Sequence, residues 1–276
     1  MKCKLGLGTV QFGLDYGISN KDGKTTEGEL VKILKTAREA DIDLLDTAFG
    51  YGVSEETLGN IGIDGFKVVT KFLPGSDDYS VCRQVELSLK RLRLDHLYGL
   101  LAHRPLDVMN NPETWEYLLT LKADGLVEKI GFSFNSSEEI IRVFQSNFKP
   151  DLVQVPYNFL DHRFENYMIS LHEIGCEIHT RSTFLQGLFF MKSEELSSFF
   201  DEIKPILRNL QTKGRELPGL LLNHTLKMNF VDRVILGVNT NIQLRNNLLS
   251  LMSNGSLPYV TIKNLDILIP SKWPKD

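Results

Sequence analysis

Short runs of apolar and β-branched residues recur along the chain, and most precede a longer segment whose apolar positions fall at i, i+3 or i+4. Short runs of that kind fit strands and the 3.6-residue spacing fits helices, so the alternation predicts βα units and a parallel sheet. Eight strands are expected: 5–12 (LGLGTVQF), 43–48 (DLLDTA), 66–72 (FKVVTKF), 96–103 (HLYGLLAH), 129–134 (KIGFSF), 151–157 (DLVQVPY), 177–184 (EIHTRSTF) and 233–238 (RVILGV). Helices at 27–40, 78–94 and 137–148 fall between them. No Pro/Ser-rich linker or low-complexity stretch divides the series, so residues 1–276 are expected to form a single-domain (β/α)₈ TIM barrel, an α/β fold. The alternative is an open doubly wound sheet, favoured by a G-x-G-x-x-G turn after the first strand. The stretch GLGTVQFG (6–13) lacks the third glycine at that spacing.

Composition narrows the function classes. With 276 residues and 42% hydrophobic content, the chain can bury a substantial core. A formal net charge of −4, with both signs mixed along the chain, argues against a nucleic-acid surface. Cys3, Cys82 and Cys176 are odd in number and lack C-x-x-C spacing, which argues against a disulfide framework or zinc site. The first residues hold too short an apolar stretch for a secretory signal, and no run approaches the roughly 20 apolar residues of a membrane span. A cytoplasmic protein without nucleic-acid or membrane partners is the expectation.

A barrel of this kind carries its chemistry at the C-terminal ends of its strands, where polar residues depart from the apolar rule. Asp46, Tyr51, Lys71 and His103 stand out there on three successive strands. Each has a plainer reading alone: a turn residue, a half-buried loop tyrosine, a solvated strand end, a satisfied core histidine. Together they converge on one rim, since neighbouring strands lie about 4.8 Å apart. Tyrosine is a poor proton donor at neutral pH unless a nearby cation favours its phenolate, and Lys71 is the candidate cation, held charged by Asp46. A neutral His103 would orient a carbonyl oxygen. Such a site protonates an oxygen while hydride arrives at carbon, and hydride requires a cofactor.

These residues resemble the aldo-keto reductase superfamily over nearly the whole chain. The segment DTAFGYGVSEETLG (46–59) is similar to the family's second-strand motif, TKF (70–72) to its third-strand lysine and LLAHRP (100–105) to its fourth-strand histidine. The resemblance implies a barrel that reduces aldehydes or ketones with a nicotinamide cofactor, Tyr51 serving as general acid. It also implies a cofactor set of Thr9, Asp46, Ser133, Gln154, Arg181, Ser182, Leu185, Gly187, Gly237, Gln243 and Asn247. Asn135 is displaced by one from the family's usual Ser-Asn pair, and Arg181 stands where many members have a stacking tyrosine. An arginine plane can also lie against an aromatic ring. The segment after the last strand, VILGVNTNIQLRNNL (234–248), is similar to the family's adenosine grip. NADPH-preferring members usually carry Lys or Arg directly after its glycine, whereas this chain has Val238, Asn239 and Thr240, with Arg245 the first cation. NADPH is the cofactor implied by the family, with NADH or dual use open.

Substrate contacts are expected from loops at the mouth, with Phe12, Tyr16, Phe49, Arg104, Tyr157 and Asn158 as candidates. The polar ones suit a hydroxylated, for instance sugar-derived, carbonyl compound as small-molecule substrate. Residues 14–26 are expected to turn over the rim, and Trp273 either closes the pocket or packs outside the barrel. Two rivals come from other classes. A nucleotide-sensing regulatory subunit with little turnover would keep the cofactor site, but the intact tetrad argues against it. A metal-dependent hydrolase would need His and carboxylate clusters at several strand ends, and the six histidines include no H-x-H pair, so no metal is expected.

Overall fold

A computed structural model describes residues 3–75 and 80–274. Eight parallel strands close into a barrel in chain order: β1 (Leu5–Gly8), β2 (Leu44–Asp46), β3 (Lys67–Phe72), β4 (Leu97–Ala102), β5 (Val127–Ser133), β6 (Leu152–Pro156), β7 (Glu177–Arg181) and β8 (Arg233–Gly237). Among the described residues the helices are α1 (Val10–Gly13), α2 (Glu27–Glu39), α3 (Ser54–Ile61), α4 (Val81–Leu92), α5 (Pro105–Asn110), α6 (Glu113–Ala123), α7 (Ser137–Gln145), α8 (Glu165–Glu173), α9 (Lys204–Gln211), α10 (Leu217–Leu226) and α11 (Asn241–Ser250). None is long and apolar enough to cross a membrane. The expected (β/α)₈ barrel is therefore the observed fold.

Boundaries moved where the chain must turn at the rim. The expected strand 5–12 ends at Gly8, because Thr9 N–H reaches across to Asp46 O at 3.0 Å and Phe12 N–H then closes on Thr9 O, starting α1. The expected strand 177–184 ends at Arg181, since Ser182 takes a left-handed conformation (φ 65°) that no strand continues. Of the expected helix 78–94, residues 78 and 79 lie outside the described residues. The described part, α4, starts behind Ser80, whose Oγ accepts from Arg83 N–H, and stops at Arg93 in the left-handed region (φ 56°).

Side chains in a strand alternate between faces, so residues two apart share the barrel interior. Leu44, Val69, Leu101, Leu152 and Ile235 form one inner apolar cluster. Two positions further along the same strands stand Asp46, Lys71, His103, Gln154 and Gly237. A single step of the strand period thus leads from the packed interior to a polar rim. The larger core fills the space between barrel and helices. A second apolar cluster lies under the β7–α10 connection, and it takes in Trp273, whose indole N–H donates to Ile267 O at 2.9 Å while its ring meets Phe200 edge-on at 5.3 Å. Trp273 does not line the cavity at the tetrad end of the barrel.

The opposite end of the barrel is sealed by a polar cluster. Glu177 accepts from Tyr98 Oη at 2.6 Å, from His179 Nε2 at 2.7 Å and from Lys129 Nζ. Burial works against its negative charge, but these hydrogen bonds outweigh burial and hold the carboxyl well below the ordinary range. A carboxyl depressed on folding contributes stability that is complete above its ordinary value of 4.5 and is lost as pH falls beneath it. Glu177→Gln is therefore expected to cost about 2 kcal/mol at pH 7. Urea denaturation should show the gap to the wild type narrowing at pH 3, and an equal gap at both values would refute the assignment.

Candidate active site

Backbone pairing past the strand ends sets the rim. Thr47 N–H donates to Val69 O (2.8 Å), Phe49 N–H to Lys71 O (2.9 Å) and His103 N–H to Phe72 O (2.9 Å), so the segments after β2 and β4 stay fastened to β3. The chain then turns through Tyr51 N–H on Ala48 O and Ser54 N–H on Tyr51 O into α3. Ser54 Oγ donates to Thr9 and lies 3.2 Å from Thr47 Oγ1, while Thr9 Oγ1 donates to Asp46 O. This buried hydroxyl knot ties the Tyr51 loop to β1. Gly13 permits the approach: a Cβ there would stand 1.8 Å from Tyr51 O.

Within this frame Lys71 Nζ donates to Asp46 Oδ2 at 2.8 Å and to Thr47 O at 2.9 Å. Gln154 Nε2 donates to the other carboxylate oxygen, Asp46 Oδ1, at 2.7 Å. Burial alone would strip the proton from Lys71, yet Asp46 and Tyr51 outweigh it and raise its pKa above the ordinary lysine value. The ammonium lies 5.1 Å from the centre of the Tyr51 ring, and the His103 ring meets that ring edge-on at 6.0 Å. His103 is pushed down to about 3, by burial first and then by Lys71, Arg181 and Arg104, so its imidazole is neutral at physiological pH. The four tetrad residues expected from the sequence are thus brought to one place.

An elongated cavity of about 710 Å³ opens from Asp46, Tyr51 and His103. Its lining also includes Gly8, Thr9 and Gln11, Gly237 at the end of β8, and Gln243 and Asn247 of α11. Of the expected cofactor residues, Thr9, Asp46, Arg181, Ser182, Gly187, Gly237, Gln243 and Asn247 line it. Ser133 and Gln154 are buried register partners on β5 and β6, and Leu185 sits inside the second apolar cluster. Two buried atoms near the catalytic end, Gln154 Oε1 and His103 Nδ1, have no hydrogen-bond partner among the described residues. Arg181 makes no ion pair among the described residues. Its guanidinium donates to Phe134 O (3.0 Å) and Asn135 Oδ1 (2.6 Å), which gives the displaced Asn135 a structural task.

The loop 14–26 does close over the mouth. Gln186 Nε2 donates to Tyr16 Oη (3.0 Å), Ser19 Oγ donates to Gln186 O (3.2 Å), and Thr25 Oγ1 donates to Asn239 O (3.1 Å). Gly187 (φ 86°) lies so near Ser19 that a Cβ would stand 1.8 Å from its Oγ. Tyr16 is on the cavity wall, but the other substrate candidates are not. Phe12 is fully buried in the main core, and Phe49 stacks under the Arg91 guanidinium at 4.5 Å. Tyr157 donates to Glu165 Oε2 at 2.7 Å behind the barrel wall, while Asn158 spends its amide on Ser182 O and accepts from Leu160 and Asp161 N–H. Arg104 is an exposed residue heading α5. In their place the cavity shows Gln11, Gln186 and Phe190, which the sequence reading did not single out. Gln11 lies on a helical turn that had been read as strand, and Gln186 owes its position to a left-handed backbone (φ 55°) without a glycine to mark it.

A sequence model of the aldo/keto reductase family matches residues 4–268. Aldo-keto reductase YhdN of Bacillus subtilis is 28% identical over 182 residues, which is 60% of this chain and 53% of that protein, so the match spans about half the length of the curated relative. Among solved structures, PA4992 from Pseudomonas aeruginosa, assigned as an aldo-keto reductase, is 26% identical with a TM-score of 0.67, covering 90% of this chain and 88% of that one. The holo form of aldo-keto reductase AKR11C1 from Bacillus halodurans superposes with a TM-score of 0.73 at 22% identity over 98% of this chain and 91% of its own, a likeness of fold. With a tetrad rim on a closed barrel and a family match over nearly its full length, the chain belongs to the aldo/keto reductase family.

Proposed function

We propose that this chain reduces an aldehyde or ketone to the alcohol with a nicotinamide nucleotide, Tyr51 being the general acid. The observation that carries the reading is the buried Asp46–Lys71 pair set beside a tyrosine that opens onto an elongated cavity. The cavity suits such a cofactor: its lining extends from Asp46, Tyr51 and His103 to residues of α11, and Gln154 Oε1 is a buried acceptor without a partner among the described residues, fit for a carboxamide N–H₂. When bound, the nicotinamide supplies the hydride.

The protein's own part is proton delivery and orientation. Tyr51 gives its hydroxyl proton to the carbonyl oxygen as negative charge develops there. The Lys71 ammonium stabilises the phenolate left behind, and Asp46 acts only through Lys71, fixing both its charge and its position. The neutral imidazole of His103 donates a hydrogen bond to the same oxygen without competing for the proton. Gln154, tied to Asp46 by its amide N–H, has its oxygen left to accept from the cofactor's carboxamide. The mouth, with Tyr16, Asn135, Arg181 and Gln186, offers hydrogen bonds to a hydroxylated substrate such as a sugar-derived carbonyl compound.

Tyr51→Phe is expected to lower kcat for a reactive aldehyde by about 10²- to 10⁴-fold while nucleotide binding persists. A variant that reduces the aldehyde at the wild-type rate would overturn the assignment. Because His103 is neutral far below physiological pH, its titration should leave no acid limb in the kcat profile between pH 5 and 8. A limb in that interval that disappears in His103→Gln would contradict a neutral donor. Gly13→Ala should displace the Tyr51 backbone and depress kcat by about 10²-fold with nucleotide affinity retained. Stopped-flow measurement of the hydride step separates that loss from slow product release.

A further inference from the structure

The cavity has two ends of different chemistry. Asp46, Tyr51 and His103 fix where the nicotinamide must lie, which leaves the end at Asn239, Gln243 and Asn247 for the adenosine half. Phosphates in barrels of this kind are commonly held by the loops after the last two strands and a helix N-terminus. A 2′-phosphate brings nearly two negative charges and needs free amide N–H groups or cations to meet them.

At this end three of the amides are already taken. Asn239 N–H donates to Gln243 Oε1 at 2.8 Å, Gln243 N–H donates to Thr240 Oγ1 at 3.1 Å, and Asn241 N–H donates to Glu29 Oε1 at 2.6 Å. Glu29 comes from α2, which packs beside α11, and that Asn241 amide, with Lys32, holds its carboxyl below the usual range, so it is charged at neutral pH. The residues after β8, Val238, Asn239 and Thr240, carry no cation. Lys32 is paired with Glu29 at 3.2 Å, and Arg245 lies 3.9 Å from Glu39. Glu29 stands outside the cavity lining, but its carboxylate sits on the Asn241 amide beside the lining residues Asn239 and Gln243, so a phosphate entering here comes up against its charge. A ribose hydroxyl meets the amide side chains of Asn239, Gln243 and Asn246 with no charge to neutralise.

We propose that the chain selects NADH over NADPH, and that Glu29, seated on the N-terminus of α11, is the residue that excludes the 2′-phosphate. The proposal rests on the carbonyl-reductase reading and departs from the NADPH that the family resemblance implied. Isothermal titration of the full chain with each nucleotide, at low salt and without substrate, tests it. NADH is expected to bind at least about ten-fold more tightly than NADPH. Glu29→Gln should narrow that ratio by about three-fold or more, and Asn239→Arg should bring NADPH level with or ahead of NADH. Thermal melting of each variant establishes that it is folded. NADPH binding as tightly as NADH to the wild type overturns the preference and leaves the reductase reading standing. Binding of neither nucleotide overturns both. A folded Glu29→Gln protein with an unchanged ratio removes Glu29 from the explanation.

Discussion

The ion pair between Lys71 and Asp46 is the contact on which the rest of the site depends. Neither group is solvated: Lys71 is 1% exposed and Asp46 4%. Removing two such charges from water is costly, and a buried pair repays that cost only when its remaining donors and acceptors are filled. Here Thr47 O accepts a second ammonium proton and Gln154 Nε2 donates to the second carboxylate oxygen. The pair therefore links β2, β3 and β6 through one charge network, and any loosening of the barrel closure would leave a charge stranded. Rigidity and reactivity have the same origin, since the charge that the pair fixes on Lys71 stands beside the Tyr51 ring and, after burial, helps to keep His103 neutral.

The tetrad was legible in the sequence because strands have a fixed period. Asp46, Lys71 and His103 each interrupt an apolar run two positions after a residue that packs inside the barrel, and no tertiary knowledge is needed to notice a charge where a leucine is expected. Substrate contacts were far less legible. Tyr157 and Asn158 look like rim residues because they end a strand run, but the chain turns at Pro156 and Tyr157 and points the phenol behind the wall, where Glu165 and the ring of His224 receive it. Phe12 failed for a related reason: the turn at Thr9 rotated it into the core. Glu29 could not be found from the local pattern. Its carboxylate acts on an amide 212 residues away, and nothing in EGELVKIL separates it from an ordinary solvated helix face.

The mouth is held by contacts weaker and more exposed than those of the rim. The loop 14–26 meets the β7 connection through Tyr16, Ser19 and Gln186, and all three hydrogen-bonding side chains face solvent at least in part. The partner segment contains Ser182, Leu185 and Gln186 in left-handed conformations, which are unfavourable for residues with a Cβ and persist only where surrounding contacts enforce them. Covalent geometry and a few surface hydrogen bonds thus define the mouth, while burial and charge define the chemistry beneath it. Regions with few buried contacts open at lower free energy than a core. Both segments line the cavity.

The two-residue step from inner cluster to rim also separates what the fold needs from what the chemistry needs. Leu44, Val69, Leu101, Leu152 and Ile235 fill the barrel whatever stands above them, and the residues above them fill no volume that the barrel requires. Gly237 sits in that upper ring as readily as Lys71 does. A lineage can therefore rewrite the ring one strand at a time, exchanging donors, acceptors and charges while the layer beneath keeps the barrel closed. The exception is the paired set, Asp46 with Lys71 and Gln154, where the loss of one member strands a buried charge or hydrogen-bonding group of the others.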